Sequence, residues 1–367
     1  VGARATRITS DEFLTPPEFL DAVSTHHAAA RVGGARIELV AVGGETRLGA
    51  CYQQIPVRVF PPFALESPSQ SQSRSVALLY LINLTAGLMD GDAHLIEITA
   101  RSGVSAVVTG QSATRIHPAL ASHATQQWAV TVEDDACLVV LPGPEIPFRN
   151  ARYHQRGRIE IAPGGRLIWG DVWLAGRYDR GALSERFVFD RIVQDVEFRR
   201  GGRLIYRDRF RWDGPWSAEE ADWYFGGRLA TAGLFLAGPP PGPEILLDPG
   251  PNVLRSVFPL GDEATCIRWC GPPTAVTADL ARVALLTAAS WTHGPGSPAW
   301  LLGSNELAPN HWFSTPVSSP QGGAGEASTD EDEAGKEKES VGENGNGNGD
   351  GSRNGDVADR APVGVRT

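Results

Sequence analysis

Six polar side chains crowd the stretch that ends at Pro118: Thr109, Gln111, Ser112, Thr114, Arg115 and His117. Hydroxyl, amide, guanidinium and imidazole groups in so short a run can hold an ion or a partner's polar chain. An apolar strand needs no such ending, so something is presented there. Upstream, the turn from Thr85 to Asp92 carries two carboxylates, Asp90 and Asp92, on either side of Gly91. They have the chemistry of metal ligands or of an acid/base pair, and Asp-Gly-Asp is equally what a tight turn favours. A third stretch, Leu141-Pro-Gly-Pro-Glu-Ile-Pro-Phe148, combines Glu145 with Ile146 and Phe148. Its three prolines keep it extended and argue against a central strand. Followed by Arg152-Tyr153-His154-Gln155, it reads either as a stiff apolar docking edge or as a packed crossover between strands.

Other chemistries are excluded or weakly supported. The only lysines are Lys336 and Lys338, so the body has no phosphate-loop, Schiff-base or kinase-type lysine. Cys266 and Cys270 lie in a strand-like context, where they would share a face about 13 Å apart, too far for one metal ion. No His-x-His or HExxH pattern occurs among the eight histidines. Gly110-Gln-Ser-Ala-Thr114 lacks the last glycine of a hydrolase nucleophile elbow. Arginines are dense from Arg149 to Arg211, but Glu160, Asp171, Asp179, Glu185, Asp190, Asp195, Glu197 and Asp208 interleave them. That pattern predicts cross-strand ion pairs rather than a nucleic-acid surface.

The elements that would position these groups read as β-structure. Residues 35–42 alternate as a strand should, Gly43 and Gly44 turn it, and residues 46–52 return. A pattern then repeats: an alternating strand ends in charges, a tight turn follows, and a more apolar strand comes back. Its instances span residues 95–108, 129–140, 157–169 and 195–206. The repetition predicts a mainly-β fold, with stacked β-hairpins forming an elongated, solenoid-like body; a β-sandwich with ordinary hairpins is the alternative. Short helical pieces are expected at Asp11–Leu14 and Pro17–Ala30, and a helical turn over Ser217–Gly226. A full helix is expected from Thr277 to Trp291, capped by Thr277 with Asp279 in its first turn.

Composition divides the chain of 367 residues near Val317. Residues 1–34 read as a lead-in, 35–317 as one β domain, and 318–367 as a disordered Gly/Asn/acidic tail. The tail holds 11 acids and 5 bases, six of the chain's ten net negative charges. The nearly neutral body argues against a polyanion binder. Four scattered cysteines, and Asp11 and Glu12 where a signal peptide would be apolar, fit a cytoplasmic protein. No apolar run approaches the roughly 20 residues that span a bilayer.

Four motifs in order carry a resemblance: Ala-Gly-Leu-Met-Asp-Gly-Asp (86–92), Thr-Gly-Gln-Ser-Ala-Thr-Arg (109–115), Leu141 to Gln155, and Trp-Leu-Ala-Gly-Arg (173–177). Together they resemble the urease accessory protein UreD family, also called UreH. Leu301-Leu-Gly and Pro309-Asn-His-Trp312 are similar to the family's C-terminal end, and the likeness covers roughly residues 35 to 315. Ala86 and Asp90 stand where the family often has glycine, and Arg115 where it often has lysine; arginine keeps the charge but cannot act as a base.

The resemblance implies a non-enzymatic urease-maturation chaperone, mainly β, with one or two helices near the C-terminal side. Such proteins bind apo-urease and the helical partner UreF, which recruits the nickel-carrying GTPase UreG. Nickel would then be transient cargo rather than a stably bound cofactor, with GTP belonging to UreG. A transit route would use oxygen and amide ligands, since a tight site traps the ion. Asp90, Asp92 and Glu145 are the candidate nickel-path carboxylates. Thr109, Gln111, Thr114, Arg115, Phe148, Arg152, Tyr153, Gln155 and Arg177 are the candidate conduit and interaction residues. The rival readings are an all-β carbohydrate-active enzyme, which would pair Asp90 with Asp171 across a cleft, and a plain protein-interaction module.

Overall fold

The computed structural model of the chain describes residues 6–20, 32–65, 76–179 and 185–293. Eighteen strands and two helices make up most of it. The first strands are β1 (Val32–Val42), β2 (Glu45–Gln54), β3 (Val57–Val59), β4 (Phe63–Leu65), β5 (Val76–Asn83) and β6 (Ala93–Ala100). Then come β7 (Ser105–Gly110), β8 (Thr114–Ile116), β9 (Ala124–Val132), β10 (Cys137–Leu141), β11 (Pro144–Pro147) and β12 (Arg152–Ile161). The series ends with β13 (Arg166–Leu174), β14 (Arg191–Arg200), β15 (Arg203–Asp213), α1 (Ala218–Phe225), β16 (Ala230–Ala237), β17 (Leu254–Leu260), β18 (Ala264–Gly271) and α2 (Pro273–His293).

The mainly-β, stacked architecture with helices towards the C-terminal side is the one expected. The repeating unit differs in one respect. In three of the four repeats the two arms do not pair with each other. The alternating arms β6, β9, β12 and β14 lie side by side and parallel in a seven-stranded sheet, ordered β15-β14-β12-β9-β6-β1-β2. The returning arms β7, β10 and β13 lie parallel in an eleven-stranded sheet, whose main order is β17-β18-β16-β13-β10-β7-β5-β3. Each turn is therefore an arch between sheets, and the arches stack: Cys137 N–H donates to Val104 O (2.8 Å) and Arg166 N–H to Ala136 O (2.8 Å). Only the last repeat, β14–β15, is an antiparallel hairpin.

Burial explains both the arches and the unequal arms. Ile96, Ile98 and Ala100 on one arm and Val104, Ala106 and Val108 on the next share a single core between the sheets. The returning strands are covered on their other face too, where Val107, Val139, Ile168 and Val172 pack with Leu280, Val283, Ala284 and Ala288 of α2. A strand buried on both faces reads as a continuous apolar run, and one with a wet face alternates. That wet face carries the expected cross-strand ion pairs, such as Arg207–Asp195 (2.6 Å), and also pairs within one strand, such as Arg199–Glu197 (3.1 Å).

The helix expected over 277–291 is longer at both ends. It starts at Pro273, whose missing N–H and fixed φ suit a first helical position. Thr277 is consequently not the cap but an interior residue, its hydroxyl donating to Pro273 O (2.8 Å), and Asp279 lies beyond the first turn. The turn at Ser217 is α1, closed by a reciprocal box in which Glu220 N–H donates to Ser217 Oγ (3.2 Å) and Ser217 N–H to Glu220 Oε2 (2.8 Å). Residues 6–20 form two short 3₁₀ turns, Ser10–Glu12 and Pro17–Phe19, instead of α-helix. They are not a loose lead-in: Ile8, Phe13 and Phe19 are buried. The rest of the expected helix at Pro17–Ala30, the C-terminal motifs at Leu301 and Pro309, and the acidic tail lie outside the described residues.

Candidate functional site: a polar row between the sheets

Parallel pairing places His94 of β6 beside Gln126 of β9, Gln126 beside Gln155 of β12, and Gln155 beside Gln194 of β14. All four have the parity of the core-facing residues, since Ile96, Trp128, Ile159 and Val196 on the same strands belong to the inter-sheet core. One polar side chain per strand thus interrupts the apolar layer at a common level.

Glu145 of β11 and Asp171 of β13 meet this row from the opposite sheet. Gln155 Nε2 donates to Glu145 Oε1 (2.6 Å), and the Tyr153 hydroxyl lies 3.4 Å from the same oxygen and 3.2 Å from Gln126 Oε1. Gln194 Nε2 donates to Asp171 Oδ2 (3.2 Å) and Asp208 Oδ2 (3.1 Å), while Trp173 Nε1 donates to Gln194 Oε1 (3.0 Å). Beyond Asp208 the row ends at Arg268, 2.7 Å from Asp208 Oδ1 and 2.8 Å from the Tyr206 hydroxyl. Glu145 is 2% exposed and Gln155 1%. Glu145 Oε2 and Gln155 Oε1 are nevertheless buried without a hydrogen-bond partner, a state that costs free energy and marks a place where a visiting group would be welcome.

Electrostatics follow from that burial. Desolvation, and then the nearby Asp171, push the Glu145 carboxyl well above its usual range. Desolvation and Asp208 push Asp171 up to about 7, with Arg268 pulling the other way. Glu145 is thus held towards its neutral form and Asp171 near its titration midpoint at neutral pH, in an oxygen- and amide-lined interior. Among the described residues, no three His, Cys, Asp or Glu side chains converge as a metal cage would require.

One end of the row opens outward. A cavity of about 80 Å³ is lined by His94, Gln126 and Trp128 at its floor and by Gln111, Thr114 and Arg115 nearer the surface. The polar cluster read from the sequence therefore divides. Gln111 and Arg115 are exposed and Thr114 half-buried at this mouth, while Thr109 is 2% exposed.

The other expected residues have structural employment. Asp90 accepts three backbone N–H groups, from Leu120 (2.9 Å), Ala121 (2.8 Å) and Ser122 (2.9 Å). Asp92, 1% exposed, accepts Met89 N–H (2.9 Å) within the turn. Asp90 is thus committed to a loop while Asp171 is buried between the sheets, so the pair a glycosidase would need does not share a cleft. The proline-rich segment is not an exposed edge: β11 lies between β13 and β8, with Pro144 and Pro147 at its two ends. Prolines at strand ends leave Glu145 and Ile146 to supply the ladder. Phe148 is buried beneath the Arg177 guanidinium (4.4 Å to the ring centre), and Arg177 is paired with Glu185. Arg152 sits on the outer face, 3.3 Å from Asp190 and above the ring of Phe19. Of the expected set, the structure brings Glu145, Tyr153 and Gln155 together. It adds His94, Gln126, Gln194, Asp208 and Arg268, which sequence reasoning did not assign to a site, and Asp171, which it named only for the rival enzyme reading.

Comparison with known proteins decides what this architecture belongs to. Residues 31–295 match the family model described as UreD urease accessory protein. The chain belongs to the UreD family. It is 39% identical over 130 residues to urease accessory protein UreD 3 of Methylorubrum populi, a match covering 35% of this chain and 42% of that protein. It is 30% identical over 181 residues to urease accessory protein UreD of an Anaeromyxobacter species, covering 49% and 57%. The corresponding protein of Sporosarcina pasteurii is 29% identical over 144 residues, covering 39% and 54%. The chain thus spans about half the length of the curated UreD proteins it matches. The matched segment, 31–295, contains the entire row and both sheets. No described helix is long and apolar enough to cross a membrane.

Proposed function

We propose that this UreD chain is a non-catalytic urease-maturation chaperone that docks apo-urease and UreF- and UreG-like partners, and through which nickel passes along the inter-sheet row. The single observation that carries the reading is the in-register set His94, Gln126, Gln155 and Gln194 facing Glu145 and Asp171. Amide and carboxyl oxygens bind a borderline divalent ion weakly and release it, whereas thiolates and clustered imidazoles would retain it. Carboxyl groups that can shed protons when a cation arrives fit passage better than storage. GTP hydrolysis belongs to the UreG-like partner; the body of this chain has no lysine with which to build a phosphate loop. Asp90 and Asp92 serve this reading by fixing the turn beside the mouth, and Glu145 by lying on the path.

Co-expression with urease and its UreF- and UreG-like proteins tests the proposal. The native chain is expected to co-purify with them and to yield nickel-loaded urease. Gln155→Leu with Gln194→Leu is expected to retain partner capture and lose most nickel loading. Full loading with that double variant would refute the route; full urease activity without the chain would refute the role.

A further inference from the structure

The outer face of the seven-stranded sheet holds a second polar feature, away from the inter-sheet row. A cleft of about 420 Å³ opens between the N-terminal segment at Leu14–Glu18 and the outward side chains of β12, β14 and β15. Four arginines line it (Arg156, Arg158, Arg207 and Arg209) with three carboxylates, Glu18, Asp195 and Glu197. Nearly all of these charges are spoken for. Arg207 grips Asp195 through two bonds of 2.7 and 2.6 Å, Arg209 holds Glu18, Arg158 pairs with Glu160 (3.2 Å), and Glu197 with Arg199 (3.1 Å). The Arg156 side chain has no ion pair or hydrogen bond among the described residues.

His154 lies two residues away on the same face of β12 and lines the same cleft. It is 5% exposed, and its Nδ1 is buried with no hydrogen-bond partner. Burial, and then the adjacent Arg156, hold the imidazole down to about 4, so the ring is neutral at physiological pH and carries one N–H donor. With its single proton on the unpaired Nδ1, the His154 ring and the spare Arg156 guanidinium are two separate donors for the same kind of acceptor.

Charge selects among acceptors. With His154 neutral, the lining guanidiniums outnumber the carboxylates by one. A monoanion balances the cleft, whereas a phosphate dianion would lie against three carboxylates. The planar fork of arginine matches the two oxygens of a carboxylate. We propose that this cleft binds a single carboxylate group, gripped by the Arg156 guanidinium and a His154 ring N–H, and supplied by an acidic side chain of a docking peptide or by a free small carboxylic acid.

Calorimetry on the full chain at low salt tests this with three probes: propionate, the capped peptide Ac-Ala-Glu-Ala-Ala-NH2 and inorganic phosphate. Saturable binding of a carboxylate probe is expected, weakened about tenfold by Arg156→Gln and less by Arg156→Lys. Arg47→Gln, on the exposed β2 surface, is expected to leave it unchanged. Peptide binding tighter than propionate assigns the site to a chain-borne carboxylate, and equal affinities assign it to a free acid. In ¹⁵N-labelled native protein, propionate is also expected to shift the His154 ring resonances, a readout that needs no substitution. Absence of saturable binding by both carboxylates at millimolar concentration would overturn the proposal. So would tighter binding of phosphate, or undiminished binding in Arg156→Gln.

Discussion

Replacing Asp279 by alanine should be among the most damaging single substitutions in the C-terminal half. The carboxylate is 5% exposed and collects donors from three directions. Arg255 reaches its Oδ2 at 2.7 Å, Trp269 Nε1 reaches the same oxygen at 2.8 Å, and Arg282 Nε reaches Oδ1 at 3.2 Å. It thereby ties α2 to β17 and β18. Asp279→Ala strands the Arg255 side chain, itself 8% exposed, and orphans a buried indole N–H. An uncompensated buried charge costs about 3–5 kcal/mol, and an orphaned buried donor about 1–3 kcal/mol. Arg255 retains the Leu246 carbonyl at 2.7 Å, which keeps the charge penalty at the low end, so the expected total is about 4 kcal/mol. Urea unfolding followed by circular dichroism should show a lower midpoint at unchanged slope. The double variant Asp279→Ala with Arg255→Met should recover about 2 kcal/mol of that loss, because the stranded charge is gone. A loss under about 1 kcal/mol, or a double variant no better than the single, would refute the argument.

Three further outcomes are expected. Gly87 has φ +144°, and a Cβ there would lie 2.2 Å from Arg115 O, the carbonyl that accepts Leu88 N–H at 2.8 Å; Gly87→Ala should cost more than about 2 kcal/mol, and a melt within a degree of native would contradict this. Asp90→Ala removes the acceptor of three N–H groups, so amide exchange at Leu120, Ala121 and Ser122 should accelerate while the β12–β14 amides keep their protection. Glu145 and Asp171 both have folded pKa values raised by burial. Their contribution to stability is therefore fully present below about pH 4. It is lost as pH rises, for Asp171 through about 7. Glu145→Gln should accordingly gain on the native chain as pH is raised from 4 to 8, measured as the difference in urea midpoint. A gap that narrows over that window would show that the buried carboxyl is not disfavoured when charged.

The strands and their repetition were legible because alternation and turn residues are local signals. β1 and β2 read from the sequence nearly as they stand, whereas β9 and β14 were read only from Ala129 and Asp195 onward. Arch and hairpin were not distinguishable: both need a tight turn between apolar-patterned arms, and only partner choice across the fold separates them. One clue was present in the unequal arms, since Cys137-Leu-Val-Val-Leu141 is continuously apolar and Ala129-Val-Thr-Val132 alternates, as sheets with two covered faces and one should. The site was half-legible. Glu145, Tyr153 and Gln155 stood out in or just after a proline-rich motif, but Gln126 and Gln194 lie in the first halves of β9 and β14, ahead of the segments that alternation marked as strands. Their signal is parity: Gln194 occupies the apolar phase of Ile192, Val196 and Phe198, where an uncharged amide costs free energy unless another chain segment answers it. Asp90 and Arg177 illustrate the converse, conspicuous residues whose partners are a loop backbone and Glu185.

The register of the row makes the sheet a ruler. Neighbouring strands stand about 4.8 Å apart whatever side chains they carry, so each step from His94 to Gln126, Gln155 and Gln194 is set by backbone hydrogen bonding. Two oxygens on a small divalent ion, each about 2.1 Å away, span nearly the same distance, about 4.2 Å. On the route proposed above, an ion between adjacent rungs would exchange one ligand while keeping the other, and no single side-chain substitution would change the stride. Lengthening or shortening such a path requires adding or deleting an entire arch, with both sheets and the stacked turns changing together.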